Sequence, residues 1–112
     1  MKNFILFIRE DIADINALSE EEIQADIQEY AQWVESLAKT DNYVEGDPLE
    51  PGGRYVKKDR ISTDGPFIES KEAITGYILL KARDIEHATE LAKHCPVFKH
   101  GGQLELRPIK VS

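Results

Sequence analysis

Two apolar runs dominate the chain. Asn3 to Arg9 contains Phe4-Ile5-Leu6-Phe7-Ile8, and Ile74 to Ala82 is again rich in apolar and aromatic residues. Neither run shows strict period-two alternation, so each reads as an inner strand with apolar side chains on both faces of a sheet. Between them the period changes. Ile23, Ile27, Tyr30, Val34 and Leu37 recur at spacings of four and three, while Glu21, Gln24, Gln28, Glu35 and Lys39 fall on other faces. That pattern predicts an amphipathic helix reaching about Lys39. Its start is marked by Ser19 with Glu22 three residues on, a capping box, flanked by Leu18 and Ile23 in staple positions. Trp33 sits beside the stripe, either extending the core or touching a partner.

From Asp41 to Gly53 the pattern dissolves into Gly46-Asp47-Pro48-Leu49 and Pro51-Gly52-Gly53, which predicts a long loop. Arg54 to Lys57 and Arg60 to Thr63 read as a short hairpin around Lys58-Asp59. After the second inner strand, Asp84 caps a helix with Ile85, Ala88, Leu91, Ala92 and Cys95 on one side, stopped by Pro96. Leu104, Leu106 and Pro108 then alternate with Gln103, Glu105, Arg107 and Ile109, a closing strand with one apolar face.

The order β-α-β-β-β-α-β fits an α+β fold, a ferredoxin-like sandwich with an inserted β-hairpin, and residues 1–112 form a single domain. Two helices cover one face of the sheet. The apolar side chains on the other face need a cover, and a second identical subunit is the simplest, so a homodimer is expected.

Charge narrows the partners. Lys and Arg total 14 against 21 Asp and Glu, a formal charge of −7, which opposes binding to nucleic acid and to anionic membrane surfaces. The only cysteine, Cys95, excludes an internal disulfide and reads as a small buried thiol. The Phe4–Ile8 run is too short for a signal peptide, and no stretch has the length of a membrane span, so a cytoplasmic protein is expected. His87, His94 and Cys95 have poor spacing for a tetrahedral metal site, and the residues call for neither a metal nor a cofactor.

The stretch Thr63-Asp64-Gly65-Pro66-Phe67-Ile68-Glu69-Ser70-Lys71-Glu72, followed by Gly76-Tyr77-Ile78-Leu79, resembles the signature of the YCII-related or DGPF family. The likeness extends to the opening strand with its Ser-initiated helix, to Asp84–Pro96 and to Leu104–Ile109. It implies the dimeric α+β barrel fold. Some relatives have been proposed as enzymes using an Asp and a His, and DGPF members are associated with extracytoplasmic-function sigma factors. Here no histidine occurs between Met1 and Leu80, so the histidine proposed in smaller relatives has no counterpart on the first helix.

Asp64 is the candidate catalytic residue: at a strand end pointing into the barrel, partial burial would raise the pKa of its carboxylate toward that of a general base. The bland reading makes it the residue that fixes the Gly65-Pro66 turn. Phe67 is a pocket wall or a buried anchor, and Glu69 and Lys71 orient a ligand or form surface ion pairs. Tyr77 is a core ring or a pocket donor. Arg107 clamps an anionic ligand if its face lines a pocket and is a surface cation otherwise. His94 suits a helix C-terminus, while His87 and His100 have less context. Two functions follow as expectations. One is a small-molecule-binding protein or enzyme with a polar pocket near the Asp64-Gly65-Pro66-Phe67 loop; the residues leave enzyme and binder open. The other is a non-catalytic regulatory module acting with a sigma factor.

Overall fold

The computed structural model describes residues 1–50, 52–62 and 72–111. Strand β1 (Lys2–Asp11) leads through a short helix α1 (Ile12–Asn16) into the long helix α2 (Glu20–Lys39). Strand β2 (Tyr43–Pro48) and the hairpin β3 (Tyr55–Lys57) and β4 (Arg60–Ser62) precede β5 (Glu72–Ala82). Helix α3 (Ile85–Ala92), a 3₁₀ turn (Pro96–His100) and β6 (Gln103–Pro108) complete the order. The sheet runs β2-β5-β1-β6, antiparallel throughout, which is the ferredoxin-like arrangement. The β3-β4 hairpin stands apart from it, with Val56 opposite Ile61 across the Lys58-Asp59 turn.

Both apolar runs are the central strands, as their composition predicts. Phe4, Leu6 and Ile8 of β1 and Ile78, Leu80 and Ala82 of β5 turn toward the helices and join Trp33, Leu37, Ala88, Ala92, Cys95 and Val97 in one core. The alternate residues Ile5, Phe7, Tyr77 and Leu79 lie on the opposite face, half-buried. The β-strands are therefore covered on one side only by the described residues.

Helix α2 begins at the predicted capping box: Ser19 Oγ accepts from the Glu22 N–H at 3.1 Å, and Glu22 Oε1 accepts from the Ser19 N–H at 3.0 Å. It ends in a Schellman motif, with the Asn42 N–H on the Leu37 carbonyl at 2.8 Å and the Asp41 N–H on the Ala38 carbonyl at 3.0 Å. Asp41 occupies the left-handed position with φ 59°, where a side chain crowds the backbone. Asn42 is buried and stitches this helix end to the sheet, its side-chain amide donating to the Lys81 carbonyl at 2.8 Å. Replacing Asp41 by Gly should stabilise the fold by about 0.5–1 kcal/mol, because the Schellman position favours a residue without Cβ. A urea midpoint that falls in Asp41→Gly would contradict this.

Four expectations change. The predicted Asp41–Gly53 loop contains β2, the edge strand of the sheet. Its turn-type residues fit there for specific reasons: a Cβ on Gly46 would lie 2.7 Å from the Tyr77 carbonyl oxygen, and Pro48 closes an edge strand, where a missing N–H is tolerated. Helix α1, five residues long and too short to show a periodic pattern, is an addition, and Asp11 caps it by accepting from the Ala13 N–H at 2.8 Å. Helix α3 stops at Ala92, so Cys95 reaches the core from the entry to the 3₁₀ turn, while Ile85 is exposed. On α2, Ile23 and Ile27 are exposed and the core is filled by Trp33 and Leu37. Among the described residues, no helix is long and apolar enough to cross a membrane.

Candidate functional site

The first half of α2 stands away from the sheet. Beneath it the helix-facing positions of β2 and β5 are Gly46 and Gly76, opposite Ile78 and Ile8 respectively, and neither supplies a side chain to fill the gap. The result is a cavity of about 490 Å³. Ile8, Ile78 and Tyr43 form its floor with the two glycines, Ile23, Ile27, Tyr30 and Val34 its roof, and Ile15 and Leu18 a side wall. This explains why the first half of the apolar stripe is not in the core: it faces the cavity.

Besides the tyrosines, four polar side chains interrupt these walls: Glu10, Thr75, Asp26 and, from the β2 edge, Asp47. The register of β1 against β5 slips where Ile8 faces Gly76 but Arg9 faces Ile74, leaving Thr75 as an extra residue. Such a bulge re-aims a side chain, and the Thr75 hydroxyl donates to Glu10 Oε1. Glu10, Ile15 and Thr75 also border a second cavity of about 240 Å³, so this pair lies between the two spaces.

Asp26 is held from the other side. His100 Nε2 lies 2.8 Å from Asp26 Oδ2, and Lys99 Nζ lies 3.4 Å from Asp26 Oδ1 and 3.0 Å from Glu29. The 3₁₀ turn is thereby fastened to α2, and Glu29 with Asp26 holds Lys99 above the ordinary lysine range.

Behind the roof, the Cys95 thiol donates to the Tyr30 hydroxyl at 3.8 Å. Burial lifts the Tyr30 phenol far above its ordinary range, with Cys95 and Glu10 adding to the effect, and burial also lifts the Cys95 thiol. Both groups therefore hold their protons more tightly in the folded chain. Their contribution to stability is fully present below the unfolded pKa values, ~8.5 for the thiol and ~10 for the phenol, and is lost progressively as pH rises from those values toward the higher folded ones. Urea unfolding between pH 7 and 11 should show stability falling across that range, with a shallower fall in Tyr30→Phe and in Cys95→Ala. An unchanged slope in both variants would contradict the assignment.

Of the residues singled out by sequence, Asp64, Phe67, Glu69 and Lys71 lie outside the described residues. Tyr77 borders the cavity from β5, but strand alternation puts its ring beside Phe7 on the open face, where the hydroxyl is 3.4 Å from Asp47 Oδ2. Arg107 lies on β6 at the far edge of the sheet, exposed, with Glu105 at 3.7 Å, and does not border the cavity. The structure thus does not bring Tyr77 and Arg107 together at one site. Glu10, Asp26, Tyr30 and His100 were missed. Asp26 carried a legible signal, since it falls three residues after Ile23 and four before Tyr30, a carboxylate on an apolar stripe.

Topology and cavity define a ferredoxin-like α+β protein whose long helix roofs a mostly apolar chamber with a few polar anchors. The chain belongs to the family of the YCII-related domain, whose model matches residues 4–111. No curated protein matches it.

Proposed function

We propose that this protein is a small-molecule-binding protein or enzyme of the dimeric α+β barrel type, with its ligand in the chamber under α2. The observation that carries the reading is the chamber itself: about 490 Å³ of space with apolar walls and convergent polar groups, the usual make-up of a small-molecule site. Closure through the open face by a second copy supplies the cover that Ile5, Phe7 and Leu79 lack among the described residues. Asp64 stays the candidate base on sequence grounds.

A thermal-shift screen of small metabolites tests this, because a ligand that binds only the folded state raises its apparent stability. Wild type should give hits, and they should vanish in Ile27→Trp, which adds bulk at the roof. Hits that persist in that variant would place the ligand elsewhere. A broad library without hits would favour a regulatory module that binds a protein partner, such as a sigma factor.

A further inference from the structure

The walls and anchors of the chamber also indicate what kind of ligand it takes, an inference that rests on the reading of the chamber as a binding site. Of the three carboxylates that border it, Asp26 is already matched by His100 and Lys99, and Asp47 lies at the β2 edge beside the Tyr77 hydroxyl. Among the described residues, Glu10 is matched by a neutral hydroxyl, that of Thr75. Among the described residues, no lysine, arginine or histidine borders the chamber. The rings of Tyr30, Tyr43 and Tyr77 also border it, and an aromatic ring close to a carboxylate, as Tyr30 is to Glu10, favours a cation there. A carboxylate within apolar walls attracts an ammonium group and repels an anion of the same shape.

We infer that the chamber binds a monocationic amine with an apolar body, its ammonium group on the Glu10 carboxylate and its hydrocarbon part against Ile8, Ile27 and Val34. The bulge at Thr75 serves this by fixing the Glu10 carboxylate with a donated hydroxyl while leaving its second oxygen to the ligand. The smaller cavity beyond Glu10 gives room for a substituent on the nitrogen.

The test is isothermal titration with three probes of matched size: 2-phenylethylamine, 2-phenylethanol and 3-phenylpropanoate. The amine should bind saturably and at least tenfold more tightly than the other two, a comparison that needs no variant. In Glu10→Gln, checked for native circular dichroism, amine binding should fall at least tenfold and the preference over the alcohol should disappear. If the alcohol or the carboxylate binds as tightly as the amine, the amine assignment is overturned while the chamber remains a ligand site. If none of the three binds, the amine assignment is likewise overturned, and the metabolite screen decides whether the chamber takes ligands at all.

Discussion

Phe7→Glu should convert the protein from a dimer to a monomer. In wild type, light scattering at tens of micromolar should give twice the 12.7 kDa chain mass. The open sheet face has an apolar centre of Ile5, Phe7, Tyr77 and Leu79, with the Arg9–Glu105 ion pair at 2.9 Å and Arg107 toward its β6 side. An apolar centre with a charged edge is the layout of a protein interface. In a two-fold interface every residue appears twice, so Phe7→Glu removes two aromatic contacts and brings two carboxylates into a desolvated patch. The dissociation constant should rise at least 100-fold, about 2.7 kcal/mol or more. Folding should survive, because Phe7 points away from the core built by Phe4, Leu6 and Ile8. A wild-type chain that is monomeric at this concentration would refute the pairing.

Trp33→Ala should be the most damaging single change to stability. Trp33 is 5% exposed, its indole N–H donates to the Leu91 carbonyl at 3.1 Å, and its ring meets Tyr30 edge-on at 6.4 Å. Truncation opens a void where α2 crosses the C-terminal end of α3 and leaves the Leu91 carbonyl without this donor. Large-to-small changes of this kind cost about 3–5 kcal/mol, a large share of the ~5–15 kcal/mol that holds a typical domain folded. Trp33→Phe keeps much of the ring volume but loses the hydrogen bond, and should fall between wild type and Ala. Urea denaturation measures both, and a loss below about 1 kcal/mol in Trp33→Ala would mean that the residue is not a core anchor.

The sequence made the central strands legible because their apolar runs are long and their residues are β-prone. It made α2 legible because both cap and periodicity agree. It hid β2 because Gly46 and Pro48 are turn residues by ordinary statistics, whereas here one is required by a close backbone approach and the other is tolerated at an edge. The chamber was hidden for a related reason. Apolar periodicity says which side of α2 turns inward, but not that the facing strand positions are glycines and that Ile23 and Ile27 consequently meet space. Its anchors are far apart in sequence: Glu10 ends an apolar run, Thr75 depends on a bulge, and His100 reaches Asp26 across 74 positions. No local pattern announces such a pairing.

The most direct test of the chamber as a ligand site is chemical-shift mapping on ¹⁵N-labelled protein titrated with 2-phenylethylamine or with a hit from the metabolite screen. The account predicts saturable shifts grouped at Glu10, Ile23, Ile27, Tyr43, Gly46, Thr75 and Gly76, with little change at Ile5, Phe7 and Leu79. Shifts concentrated on the open sheet face instead, with the α2 and glycine amides unmoved, would contradict it.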